Sequence, residues 1–192
     1  MKKCFFMSVG CAALLSLSTA AWATPGTYFS LNGGLVNLDD SDAKGPGGSV
    51  GVEYDSGIAI AAAVGYGFTC NVRMEVEVGY QKNDFSNYSG DVSSISGLLN
   101  AYYDFVNPTK VTPFIGAGVG LVKASLSDLP HVGGGDGGAV ALQAGAGLSY
   151  EFNDSITFDL KYRYLTAMDL KVDDVELDYT GHGVLFGIRV PF

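Results

Sequence analysis

The sequence predicts an all-β fold: an eight-stranded antiparallel up-and-down transmembrane β-barrel. Three observations carry this expectation. Apolar and polar residues alternate with period two through eight separate runs, the mark of strands with two unlike faces. The connections between runs alternate between short and long. No segment beyond the N-terminal leader approaches the roughly 20 apolar residues of a membrane helix, although mean hydropathy is +0.22 and aromatics reach 12%.

The N-terminal stretch "MKKCFFMSVGCAALLSLSTAAWA" has a basic start at Lys2 and Lys3, a short apolar run and the small-x-small site Ala21-Trp22-Ala23. It reads as a secretory signal peptide over 1–23, followed by a barrel domain over 24–192. Ser8-Val9-Gly10 leaves too little apolar chain before Cys11 to favour a lipoprotein. Cleavage removes Cys4 and Cys11, and Cys70 alone permits no intrachain disulfide.

The runs follow in order. The first, about 27–37, sets Phe29, Leu31 and Leu35 against Ser30, Asn32 and Gly34. The second, about 57–68, sets Ile58, Ile60, Val64, Tyr66 and Phe68 against alanines and glycines. The third, 72–81, is "VRMEVEVGYQ": Val72, Met74, Val76, Val78 and Tyr80 alternate with Arg73, Glu75, Glu77, Gly79 and Gln81. The fourth, about 94–106, and fifth, about 111–122, repeat the pattern, the fifth with Gly116, Gly118 and Gly120 on its small face. The sixth, about 140–152, ends on Tyr150 and Phe152. The seventh, about 156–165, sets Ile156, Phe158, Leu160, Tyr162 and Tyr164 against Thr157, Asp159, Lys161 and Arg163. The eighth, about 178–192, keeps Val184, Phe186, Ile188, Val190 and Phe192 on one face.

Short turns fall at 69–71, 107–110 and 153–155, and long loops at about 38–56, 83–93, 123–139 and 166–177. An even-stranded barrel with both ends in the periplasm needs three short turns and four long outer loops. A lipocalin-type barrel would turn its bulky apolar face inward. Here the small and charged face is the tapered one, and eight strands leave an interior just wide enough for side chains. The bulky face therefore suits lipid. Tyr66, Phe68, Tyr103, Phe105, Tyr150 and Phe152 flank the short turns as an interfacial girdle would. Arg73, Glu75 and Glu77 then point inward with Asp104, Glu151, Asp159, Lys161, Arg163 and Arg189. These nine, four positive and five negative, are expected to fill the lumen as an ion-pair network, because unpaired buried charge is costly.

In order, "MEVEVGY", "NAYYDF", "TPFIGAGVGLV", "AGAGLSYEF", "DLKYRYL" and "GIRVPF" make the chain resemble the OmpA-like, opacity-protein family of outer-membrane barrels. The terminal pattern of Phe186, Ile188, Val190 and Phe192 resembles the sorting signal of such barrels, read by the barrel-assembly machinery. The resemblance implies a single barrel in the bacterial outer membrane, with long loops extracellular. It also implies a surface-antigen, adhesive or envelope-stabilising role, with a small porin-like pore as the alternative. The expected partners are outer-membrane lipid, lipopolysaccharide and host surface molecules. Lys82 and Lys123, on the lipid-facing side near the loop ends, are placed to touch lipopolysaccharide phosphates or to snorkel.

The net charge of −9 argues against nucleic acid. Its surplus acid lies in "LDDSDAK" and "MDLKVDDVE". Asp39, Asp40 and Asp42 are oxygen donors suited to Ca²⁺ but lack a full loop signature. No cofactor, resident metal or catalytic residue is expected. His131 lies near Ser127 and Asp128 in a glycine-rich loop, a poor scaffold for a triad. His182 lacks the serine two positions on that a His-x-Ser lipid deacylase uses, since residue 184 is Val. "GAGVG" at 116–120 lacks the further glycine and the following helix of a nucleotide loop.

Overall fold

The computed structural model describes residues 26–39, 41–45, 48–52, 55–84, 91–126, 135–172 and 175–192. The leader and Ser127, Asp128 and His131 lie outside them. Among the described residues ten strands run in chain order: β1 (Thr27–Leu38), β2 (Ser41–Gly45), β3 (Gly48–Val52), β4 (Gly57–Gly67), β5 (Val72–Asp84), β6 (Asp91–Asp104), β7 (Val111–Leu126), β8 (Gly135–Asn153), β9 (Ile156–Val172) and β10 (Val175–Pro191). Eight of them, β1 and β4 to β10, pair each with the next, all antiparallel. β1 closes the barrel on β10 from Tyr28↔Pro191 to Leu38↔Gly181. Closure leaves no open edge within the ring, the condition for strands in a bilayer.

Register fixes the barrel's shape. The ladder from Tyr28 passes through Gly65, Glu75, Asn100, Gly118, Gln143, Leu165 and Gly181 and returns to β1 at Leu38, ten residues along from its start. With ordinary strand spacing and rise, that stagger tilts the strands by about 40°.

The bulky face points outward. Leu31 is 62% exposed, Val76 63% and Leu121 66%. Their neighbours in sequence, Asn32, Glu77 and Val122, are buried. This is the reverse of a lipocalin-type interior. At the short-turn end, Tyr66 and Phe68 sit edge to face at 4.9 Å, and Tyr103 and Phe105 at 5.1 Å.

The short turns have local causes. At 69–71, Asn71 takes a left-handed φ of 61°, which Asn tolerates better than most residues. The Asn107 and Asn153 side-chain oxygens each accept an N–H two residues on, from Thr109 and Ser155 at 2.9 Å, in Asx turns.

The long connections differ from expectation. Much of 83–93, 123–139 and 166–177 is strand, because the antiparallel ladders continue past the apolar belt: β7 and β8 stay paired to Leu126↔Gly135 and β9 and β10 to Val175↔Val172. Backbone pairing depends on neither lipid nor apolar side chains. The 38–56 connection carries the hairpin β2–β3, and β2 pairs with β10 at Glu176↔Lys44.

Candidate functional site

The interior is the part of the molecule with concentrated chemistry. It divides along the barrel axis. Nearest the short turns it is ionic. Arg73 Nε lies 3.0 Å from Asp104 Oδ1, and Arg73 Nη1 lies 2.9 Å from Glu75 Oε1. Tyr28 donates its hydroxyl to the same Glu75 oxygen at 2.8 Å. The Arg73 guanidinium is also packed by rings, 4.4 Å from the Tyr102 centroid and 4.7 Å from that of Phe114. Across the lumen, Arg189 Nη2 reaches Asp159 Oδ1 at 3.0 Å, and Ser149 donates to the same oxygen at 2.6 Å.

One layer further in stands Glu77, with 0% exposure. Its Oε1 lies 3.4 Å from Arg163 Nη1 and its Oε2 3.5 Å from Lys161 Nζ. Asn100 donates to Glu77 Oε2 at 3.4 Å, and Gln143 donates to Asn100 at 2.7 Å. Glu77 thus joins β5 to β9 straight across the barrel. A cavity of about 10 Å³, the size of one water molecule, remains among Ser30, Asn32, Arg73, Glu75, Tyr102 and Asp159.

Small residues seat these groups. A Cβ on Gly65 would stand 2.3 Å from the Tyr28 ring, and one on Gly116 2.2 Å from the Tyr102 ring. Gly65 on β4 and Gly116 on β7 are therefore holes for a ring on the neighbouring strand.

Beyond Glu77 the interior changes character. Leu38, Val92, Leu98, Val122, Ala124, Ala141, Leu165, Ala167 and Tyr179 form one buried cluster. Val36, Ala59 and Leu185 form a second. Tyr179 spans the lumen from β10 to β6, its hydroxyl 2.9 Å from that of Ser94. Asn83 donates to the backbone oxygens of Val36 at 3.3 Å and Asp55 at 3.1 Å. The polar side chains described as buried there are neutral.

Of the nine interior charges read from the sequence, the structure brings eight into ion pairs. Glu151 is the correction. It has inward parity, but it is exposed at the rim, where β8 breaks register between Glu151 and Asn153 and the lumen opens to solvent. Without it the set balances: Arg73, Lys161, Arg163 and Arg189 against Glu75, Glu77, Asp104 and Asp159. Sequence reasoning did not name Tyr28, Tyr102, Asn100, Gln143 or Ser149 as partners. Their inward parity was the available signal. It missed the apolar half altogether.

Phe186, Ile188, Val190 and Phe192 all face outward, from 41% to 54% exposed. Asp39 is described and lies 3.4 Å, Oδ1 to Nδ1, from His182, which stacks on Tyr162 at 6.3 Å. Asp42 is described only as a backbone position in β2, and Asp40 lies outside the described residues. Among the described residues, no three His, Cys, Asp or Glu side chains converge as metal ligands. Cys70, half-buried in its turn, is a free thiol.

This architecture has relatives. Residues 9–192 match the family described as the outer membrane protein beta-barrel domain. Over 90 residues the chain is 38% identical to the outer membrane protein PagN of Salmonella typhimurium, a stretch that is 42% of this chain and 37% of that relative's length. Among solved structures, Neisserial surface protein A superposes with a TM-score of 0.60 at 25% identity, covering 85% of this chain and 97% of its own. OprG from Pseudomonas aeruginosa superposes with a TM-score of 0.53 at 16% identity, covering 88% and 98%, a likeness of fold. The chain belongs to the outer membrane protein beta-barrel domain family and is a β-barrel protein of the bacterial outer membrane.

Proposed function

We propose that this protein is a closed, non-enzymatic surface barrel that works through what it displays rather than through what it conducts. The observation that carries the reading is the filled interior. A balanced set of buried and half-buried ion pairs is followed along the axis by an apolar layer bridged by Tyr179 and Ser94. Ions would have to break the first and dehydrate in the second.

In this reading residues 1–23 are a signal peptide. The outward aromatics from Phe186 to Phe192 are the segment read by the barrel-assembly machinery. Both termini and the short turns face the periplasm, and the long hairpins, with their acidic residues, face the outside. There they stabilise the envelope or contact cationic host molecules. A relative whose own name is a surface protein, at 25% identity, supports this placement.

Thiol labelling on intact cells tests it. Native Cys70 lies in a short turn and should react with a membrane-impermeant maleimide only after the outer membrane is permeabilised. A Cys70→Ser, Ser49→Cys variant, with its thiol in the β2–β3 hairpin, should react on intact cells. The opposite pattern would invert the barrel and remove the display role.

A further inference from the structure

We infer that the lumen holds a binding site for a single water molecule, and that this water joins three separate groups of interior charges into one network.

Arg73 holds Glu75 and Asp104, Arg189 holds Asp159, and Glu77 holds Lys161 and Arg163. Among the described residues no ion pair runs from one of these groups to another. All three groups border the cavity of about 10 Å³: Arg73 and Glu75 from the first, Asp159 from the second, Lys161 from the third. Every residue lining it is buried.

The walls offer both donors and acceptors. Arg73 Nη2 is buried without a hydrogen-bond partner among the described residues, whereas Nε and Nη1 are taken by Asp104 and Glu75. Leaving such a donor dry is costly. Lys161 makes two long hydrogen bonds, 3.5 Å to Glu77 and 3.4 Å to the Tyr102 hydroxyl, and an ammonium has a further hydrogen to give. Among the described residues, the partners of Glu75 meet Oε1 and those of Asp159 meet Oδ1. Each carboxylate therefore keeps a second oxygen as acceptor. Arg189 Nε and Gln143 Oε1 are also buried and unpartnered among the described residues, but neither residue lines this cavity.

Size and charge choose the occupant. The volume suits one water. A water accepts from the guanidinium and the ammonium and donates to the carboxylates. A small anion accepts only. The four cations already balance four carboxylates, so an anion would add an uncompensated buried charge.

The test is a crystal structure of the refolded protein, grown in bromide and collected where bromide scatters anomalously. One ordered peak without anomalous signal is expected within about 3.2 Å of Arg73 Nη2. An anomalous peak there would make the occupant an anion. No peak would leave the guanidinium dry, and a column of peaks along the axis would make the lumen a water-filled path. Each of these three results would overturn the inference. Ser30→Thr gives a second readout, because it carries a methyl to the cavity wall. A methyl cannot replace the hydrogen bonds of a displaced water, so the urea midpoint in vesicles should fall. A rise would mean that a dry void had been filled, and a rise or no change would overturn the site. Heat-modifiable gel mobility shows that the variant is folded. The inference holds for either orientation of the barrel, so it stands or falls apart from the labelling experiment.

Discussion

In the half of the barrel near the short turns, β9 lines the lumen with Asp159, Lys161 and Arg163. One step further along the same face, it lines it with Leu165 and Ala167. β6 makes the same change between Asn100 and Leu98. The two halves fill the interior by different physics. The ionic half depends on every partner being in place, since a buried charge left alone is far more costly than a pair is stabilising. The apolar half depends on volume and area, which neighbouring side chains share and which tolerate rearrangement. If the barrel is closed as proposed, it is hard to open by one substitution.

Removing one partner should expose that difference most. Glu77→Ala leaves Lys161 and Arg163 buried without their carboxylate and should cost about 3–5 kcal/mol. It is read as a fall in the urea midpoint of the protein refolded in vesicles. High salt should not restore it, because the site is not screened by bulk ions. Leu165→Ala, at 5% exposure in the apolar half, should cost about 2–5 kcal/mol by cavity formation. Partial compensation by Leu→Met at the same position would mark the non-directional half. An equal loss from Leu→Met and Leu→Ala would instead make that half as position-specific as the ionic one.

Smaller effects sharpen the comparison. Gly65→Ala forces a methyl against the Tyr28 ring and should cost about 1–3 kcal/mol; in a Tyr28→Ser background, where that ring is gone, the same change should cost less in the same unfolding assay. Tyr179→Phe removes the hydroxyl that meets Ser94 and should cost about 1 kcal/mol, with faster exchange of the β6 amides near Ser94. Glu151→Ala, at the exposed rim, should stay within about 0.5 kcal/mol of wild type. A loss near that of Glu77→Ala would return Glu151 to the network.

The fold was legible because a barrel wall repeats one rule: period two, with the bulky face outward. Arg73 and Glu77 were legible because that rule assigns them an inward parity and eight strands leave little space inside. Depth along the axis was not legible. Leu98, Leu165 and Tyr179 share the parity of Asn100, Arg163 and Arg189, and nothing local separates a sealed layer from an ionic one. Glu151 was misplaced for the same reason: parity says inward, and only the register break beside it shows that the wall has ended. The extended hairpins were hidden because the strands beyond the belt carry the polar composition of loops. Pairing such as Leu126↔Gly135 is visible only once the ladders are drawn.

The central claim is that both halves close the lumen, and single-channel recording of the refolded mature protein in a planar bilayer, at low and high salt, tests it directly. The account predicts a silent bilayer containing folded, heat-modifiable protein. A steady conductance that scales with salt would contradict it, and would make the protein a small pore.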